Sequence, residues 1–144
     1  MKRLLALAAL LLSIQWQNAH AEMQQYGRYE VYYSLFATDF LRPEIARAYG
    51  LVRANDRALL NIAVRRTEPT GGSVPIKAVV EGTRSDLIHK RELQFQEIVE
   101  EAAIYYLVEF PFRNEETHYL ELRIHPEGDS STLDLRFNQT LFVD

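Results

Sequence analysis

From residue 29 onward, apolar and polar residues alternate along most of the chain, which is the period that places successive side chains on opposite faces of a β-strand. We predict about seven short strands, centred on residues 29–35, 60–64, 76–80, 93–95, 104–110, 120–124 and 133–137. Polar or glycine-containing turns separate several of them. This pattern predicts an all-β fold, an immunoglobulin-like antiparallel β-sandwich, with a small barrel as the alternative.

Residues 40–50 interrupt the alternation and predict one short helix between the first and second strands. Pro43 suits the first helical position, and Glu44 suits the positive N-terminal end of a helix. Gly50 suits the left-handed residue that follows a last helical turn. Ile45 and Tyr49 are four residues apart and therefore share one face. We expect this helix to cover an open end of the sandwich.

The first 21 residues have the layout of a secretory signal peptide. Lys2 and Arg3 precede an apolar run at 4–12, and Ala19-His20-Ala21 forms an A-x-A cleavage site. We predict a signal peptide at 1–21 and a single immunoglobulin-like β-sandwich domain at 22–144. The apolar run is too short to span a bilayer, and no longer one follows, so we expect no integral membrane segment in the mature chain.

The predicted compartment is therefore the periplasm, where the protein would be soluble, with extracellular release as the alternative. The chain contains no cysteine, so its stability in an oxidising compartment must come from its core rather than from disulfides. Without Lys2 and Arg3 the mature chain has 14 basic residues against 20 acidic ones, a net charge of −6 rather than −4. This acidic balance argues against nucleic acid as a partner.

Arginines concentrate near the predicted helix. Six lie between residues 42 and 66 against two acidic residues, whereas residues 92–144 contain twelve acidic residues and three arginines. Arginine binds carboxylate and phosphate groups through paired hydrogen bonds. We therefore predict an anion-binding or partner-docking surface at Arg42, Arg47, Tyr49 and Arg53. The alternative is that these arginines pair with the chain's own acidic residues.

The residues that usually carry catalysis or bind metals are scattered. His118 and His125 are seven residues apart, so a regular strand points them to opposite faces and they cannot share a metal ion. His89 lies beside Lys90 and Arg91, whose charge opposes metal binding. There is no G-x-S-x-G motif and no glycine-rich phosphate loop. We expect no catalytic residue, no metal and no cofactor, and hence no enzyme.

Four segments resemble a known family: FATDFL at 36–41, PEIA at 43–46, YG at 49–50 and ALLNI at 58–62. They are similar to DUF4426, a family of small exported proteobacterial proteins of unknown function, and the resemblance extends over the whole mature chain. It implies an immunoglobulin-like sandwich. It implies no activity, cofactor or catalytic residue.

Two functions fit these observations. The first, which we favour here, is a non-catalytic protein-binding or adaptor module that binds a protein partner or forms a homodimer through a sheet edge. The second is a binder of a small anionic or amphipathic ligand in a pocket under the helix. That pocket would be lined by Phe40, Ile45 and Tyr49, with Arg47 or Arg53 at its mouth.

Overall fold

The computed structural model describes residues 21–144. The predicted signal peptide therefore lies outside the described residues, except for Ala21. The described residues form ten strands: β1 Glu22–Tyr26, β2 Tyr29–Ala37, β3 Arg57–Thr67, β4 Ser73–Pro75, β5 Ala78–Ser85, β6 Lys90–Glu92, β7 Gln96–Val99, β8 Ile104–Pro111, β9 Glu116–Pro126 and β10 Leu133–Leu141. A 3₁₀ turn, Thr38–Phe40, precedes the one α-helix within residues 21–144, α1, at Pro43–Tyr49.

The strands form two antiparallel sheets. The larger sheet has the order β1-β2-β3-β8-β7, with β4 added to β3, and the smaller sheet has the order β10-β9-β5-β6. All pairings are antiparallel, and β3 is central to the larger sheet because it pairs with both β2 and β8. The predicted all-β, immunoglobulin-like antiparallel sandwich with one short helix is confirmed.

The number of strands is ten rather than about seven, for two reasons. Strands β1 and β4 are short and have no clear apolar alternation, so the sequence pattern does not show them. The strand predicted at 93–95 is instead the connection between β6 in one sheet and β7 in the other. Leu93 and Phe95 are apolar because they pack against the core as the chain crosses between the sheets.

The core lies between the two sheets and contains the apolar face of each long strand. Val31, Leu60, Ile62, Val64 and Ile124 are completely buried there. Leu60 and Ile62 alternate with Leu59, Asn61 and Ala63, which point to the outer face of the larger sheet. The strand period therefore fixes both the core and the outer face on which the helix lies.

Helix α1 begins and ends where the sequence predicts, but it packs in a different place. Pro43 is at the N-terminal position and Gly50, with φ of 69°, ends the helix in the left-handed conformation. The expected position over an open end of the sandwich is wrong. Ile45 and Ala46 instead pack with Leu59 of β3 and Leu107 of β8 on the outer face of the larger sheet. That face is apolar here, so the helix buries it.

Within residues 21–144, no helix has the length and apolar character needed to cross a membrane.

Candidate functional site

A cavity of about 200 Å³ lies between α1 and the outer face of the larger sheet. Its floor comes from three neighbouring strands: Tyr32, Ser34 and Phe36 of β2, Leu59, Asn61 and Ala63 of β3, and Tyr105 and Leu107 of β8. Its wall comes from the segment around the helix: Phe40, Leu41, Arg42, Ile45, Tyr49 and Leu51. Ala21 also borders it. The lining is mainly aliphatic and aromatic, as in ligand-binding pockets.

The cavity exists because some positions on the outer face of the larger sheet carry small side chains between larger ones. Ser34 is opposite Asn61, and Tyr32 is opposite Ala63, in the register between β2 and β3. Leu59 packs with the helix, whereas the small side chains of Ser34 and Ala63 do not fill the space beside it. The helix therefore covers only part of this face, and the space left over is the cavity.

Polar groups in the lining are few. Asn61 Oδ1 is buried and has no hydrogen-bond partner within residues 21–144. The hydroxyl of Tyr32 donates to Glu30 at 2.7 Å, and the hydroxyl of Tyr49 donates to Glu100. A buried amide oxygen without a partner is unfavourable, and a ligand that donates a hydrogen bond relieves that cost.

The tyrosine hydroxyls of the lining stay neutral at physiological pH. Burial raises the pKa of Tyr49 well above its usual range, and the hydrogen bond to Glu100 raises it further. Burial also raises the pKa of Tyr105, with a smaller contribution from Glu100. The lining therefore presents neutral aromatic rings, and the positive charge at the cavity comes from Arg42.

The four predicted site residues do not form one cluster. Arg42 and Tyr49 line the cavity, and Arg42 is exposed at its rim. Arg53 Nε donates to the Leu41 carbonyl at 2.6 Å and Arg53 Nη2 donates to the Asp39 carbonyl at 2.9 Å, so Arg53 holds the segment before α1 in place. Arg47 is exposed on the helix and is not part of the cavity lining.

The predicted pocket lining of Phe40, Ile45 and Tyr49 is present, with Arg42 rather than Arg47 or Arg53 at the rim. Whether any of these residues binds a ligand or a partner stays a prediction.

A sequence profile of a domain of unknown function, DUF4426, matches residues 23–144. The chain belongs to the DUF4426 family. A crystal structure of a DUF4426 family protein from Pseudomonas aeruginosa PAO1 is 30% identical, with a TM-score of 0.73, over 86% of this chain and 96% of that chain.

More distant structures share the fold of this DUF4426 protein. A copper-bound variant of FetP from uropathogenic Escherichia coli strain F11 is 13% identical, with a TM-score of 0.58, over 85% of this chain and 95% of that one. FetP of the same strain, expressed recombinantly in the periplasm of E. coli, is 12% identical, with a TM-score of 0.59, over 88% and 97%. These identities show a common fold alone. No curated protein sequence matches the DUF4426 chain.

Sequence reasoning missed the sheet side of the cavity in this DUF4426 protein, especially Asn61, Ala63 and Tyr105. One signal was available: Ala58, Leu59 and Leu60 are consecutive apolar residues, and a strand that is apolar on both faces packs on both faces. The position of Asn61 under the helix cannot be predicted from the sequence, because it depends on the pairing of three strands and on the helix packed over them.

The histidines lie apart, as their spacing predicts. His118 is fully buried, and His125 on the opposite face contacts Glu81 at 3.1 Å and Thr132 at 3.2 Å. Among residues 21–144, no three or more histidine, cysteine, aspartate or glutamate side chains are placed to hold a metal ion.

Proposed function

We propose that this DUF4426 protein is an exported, periplasmic, non-catalytic protein that binds a small amphipathic ligand in the cavity under α1. The single observation that supports this most strongly is a partly open cavity with an aromatic and aliphatic lining, which lies outside the sandwich core between α1 and the larger sheet. Export to the periplasm is supported by the signal-peptide pattern of residues 1–21.

The size of the cavity restricts the ligand. Pockets for drug-sized molecules usually enclose about 300–1,000 Å³. An apolar cavity of roughly 150 Å³ holds benzene. A cavity of about 200 Å³ therefore suits one ring or a short branched chain with a small polar group. The aromatic lining favours a ring, which can stack or meet the tyrosines edge to face.

The charge at the rim restricts the ligand further. Arg42 is exposed and makes no ion pair within residues 21–144. A carboxylate on the ligand can therefore pair with Arg42 without displacing another acid. A monocyclic carboxylic acid combines these features, and Asn61 Oδ1 in the lining is available to accept a hydrogen bond from a donor group on its ring.

The test is calorimetry of the purified mature protein with benzoate, 4-hydroxybenzoate and phenylacetate, and with benzamide and benzylamine as neutral and cationic counterparts. We expect the acids to bind. Arg42→Gln should weaken acid binding about tenfold or more, since a hydrogen bond to a charged group is worth roughly 1.5–3 kcal/mol. It should leave benzamide binding unchanged.

A second variant tests the cavity itself. Ala63→Phe fills the floor and should abolish binding of every panel member, because the ring occupies the space that the ligand needs. Ala48→Phe is the matched control, since Ala48 is exposed on α1 and outside the lining. Equal binding by Ala63→Phe and the unsubstituted protein would contradict the proposal, as would a panel in which nothing binds.

The protein-docking hypothesis is the second candidate. Phe40 and Val52, on either side of α1, are 57% and 56% exposed, and Arg47 is exposed on the helix between them. Aromatic and arginine side chains are common in protein interfaces. If the ligand panel fails, this surface becomes the better-supported site.

A further inference from the structure

The hairpin between β5 and β6 carries the most exposed large apolar side chains of residues 21–144. Leu87 is 83% exposed and Ile88 is 84% exposed, and they are adjacent at the tip. Single exposed apolar residues are ordinary on protein surfaces, whereas neighbouring ones on a projecting turn indicate an interaction site.

The conformation of this tip is held by specific contacts. Asp86 Oδ1 accepts hydrogen bonds from the backbone N–H groups of Ile88 at 3.0 Å and His89 at 2.7 Å. The Asp86 N–H donates to the His89 carbonyl at 3.2 Å. Leu87 has φ of 83°, a left-handed conformation in which glycine or asparagine is usual and leucine is rare. A leucine in this conformation costs folding free energy. That cost points to a functional reason for an apolar side chain at the tip of the hairpin.

Positive charge lies immediately behind the tip. Arg84 of β5 is directly opposite Arg91 of β6, and Ser85 is opposite Lys90. At about 3.3 Å per residue, the two arginines are roughly 7–10 Å behind the apolar pair. Like charges directly opposite each other in a sheet repel, so an anion between them is favourable.

Burial and Arg91 lower the pKa of Arg84, whereas the carboxylates of Glu116 and Asp86 act in the opposite direction. Arg84 and Arg91 make no ion pair among residues 21–144, and the Arg84 guanidinium lies 4.4 Å from the centre of the Phe110 ring. Both line a depression of about 400 Å³. Lys90 reaches Glu121 only at 4.0 Å. The acids of the hairpin itself are Glu81, which pairs with Arg123 and His125, Asp86, which caps the turn, and Glu92.

We propose that the β5–β6 hairpin is a membrane-contact element, in which Leu87 and Ile88 insert into a bilayer and Lys90, Arg84 and Arg91 contact the phosphates of anionic lipids. The order of groups along the hairpin, apolar first and cationic behind, matches the order of layers between the bilayer interior and its headgroups. Because the chain without Lys2 and Arg3 has a net charge of −6, an anionic surface attracts it only through a local basic site such as this one. Two inserted side chains give weak, reversible binding.

Co-sedimentation with vesicles tests this inference. The purified mature protein is mixed with vesicles of phosphatidylglycerol and phosphatidylethanolamine, and in parallel with vesicles of phosphatidylcholine alone. We expect binding to the anionic vesicles that falls as salt is added. The double substitution Leu87→Asn with Ile88→Ser should reduce the partition coefficient about tenfold or more, because most of the inserted apolar surface is removed.

Two features of the design separate lost binding from lost folding. Asparagine adopts the left-handed conformation more readily than leucine, so Leu87→Asn keeps or raises the folding stability while it removes the apolar contact. Val79→Ser is the matched apolar control, since Val79 is 64% exposed on the same β5 strand, and it should bind like the unsubstituted protein.

Separate variants test the positively charged residues of the hairpin. Lys90→Gln with Arg91→Gln should lower binding to the anionic vesicles and bring it close to binding to phosphatidylcholine. Arg136→Gln, an exposed substitution on β10, should have little effect. Ala63→Phe should bind vesicles normally, because this inference does not depend on the cavity.

Three results would overturn the inference. The first is equal vesicle binding by the Leu87→Asn, Ile88→Ser variant and the unsubstituted protein. The second is binding of inorganic phosphate at the arginines without any vesicle binding, which would assign a free anion site. The third is no binding to either kind of vesicle, in which case the apolar tip would have a protein as its partner.

Discussion

His118 shows how the surroundings of one residue change its chemistry. Its side chain is completely buried, neither ring nitrogen has a hydrogen-bond partner within residues 21–144, and its ring centre is 5.2 Å from that of Phe110. Burial lowers the pKa of His118, and Arg84 lowers it further, while Glu116 and Asp86 oppose the shift. The ring is therefore a neutral aromatic core residue at physiological pH.

This residue predicts a pH dependence of stability. As pH falls below 6.5, the ordinary pKa, the unfolded chain takes up a proton at His118 before the folded protein does, so the free energy of unfolding decreases. His118→Leu should remove this decrease and change stability at pH 8 by only about 1 kcal/mol, since no hydrogen bond is lost. Urea unfolding at pH 8 and pH 5 measures both quantities.

The control for this experiment is His125→Asn, because His125 is on the solvent-facing side of the same strand. It should keep the decrease in stability between pH 8 and pH 5. An equal decrease in His118→Leu and the unsubstituted protein would show that other groups cause it.

Among the elements, β5 depends on a single glycine. Gly82 is opposite Leu122 of β9, and its carbonyl accepts a hydrogen bond from the Leu93 N–H at 2.9 Å. A Cβ at this position would lie 2.3 Å from the Glu121 carbonyl oxygen and 2.9 Å from Leu122 Cα. These are backbone atoms, so no side-chain rotation relieves the overlap.

We predict that Gly82→Ala lowers the free energy of unfolding by about 1–3 kcal/mol, the usual cost of overpacking. Thermal unfolding followed by circular dichroism measures the change. Gly128→Asn is the matched control, because a Cβ there meets nothing within 4 Å and asparagine tolerates its φ of 78°. If Gly82→Ala melts with or above the unsubstituted protein, the close approach of β5 and β9 is not rigid.

Across the whole molecule, polar contacts connect the two sheets. Asp129, in the turn between β9 and β10, accepts hydrogen bonds from the Tyr29 hydroxyl at 2.8 Å and from Arg28 at 3.1 Å. The Ala78 N–H of the smaller sheet donates to the Tyr106 hydroxyl of the larger sheet at 2.8 Å. These contacts fix the sandwich beyond what apolar packing alone specifies.

The Asp129 contacts predict an acid sensitivity of the whole sandwich. Hydrogen bonds from Ser131, then from Tyr29 and Arg28, hold the pKa of Asp129 well below its ordinary value of 3.8. A lowered pKa in the folded state stabilises the protein above pH 3.8, and this contribution decreases as pH falls below it. Asp129→Asn should therefore be less stable than the unsubstituted protein at pH 7, with the difference shrinking towards pH 2.

Urea unfolding of both proteins from pH 7 to pH 2 measures that difference. Asp134→Asn is the control, since only the backbone carbonyl of Asp134 takes part in the contact with Tyr26. A difference between Asp129→Asn and the unsubstituted protein that stays constant over the whole range would contradict the assignment.

Much of this fold could be predicted from the sequence, because long strands with one buried face repeat a strict period. That period predicts five of the strands, namely β2, β3, β8, β9 and β10. Pro43 and Gly50 mark the ends of the helix correctly. β1 and β4 were not predicted because edge strands of three to five residues bury little and carry no pattern.

The candidate site could be predicted only in part. Phe40, Ile45 and Tyr49 are near one another in sequence, so local helical spacing grouped them correctly. Asn61 and Tyr105 come from separate strands whose adjacency depends on long-range pairing, which local patterns do not report. The placement of the helix failed for the same reason, since it required knowing that the outer face of the larger sheet is apolar.

The pairing of β3 with β8 has a consequence for the order of folding. β3 can pair with β2 early in folding. Its other edge pairs with residues 106–111 of β8, which lie about fifty positions later in the chain. Contacts this distant in sequence make folding slow. A chain that stops before β8, whether truncated or only partly exported, leaves the central strand with an open edge and an uncovered apolar face, which favours aggregation. The residues of β8 are therefore expected to protect the central strand from aggregation as well as to complete the sheet.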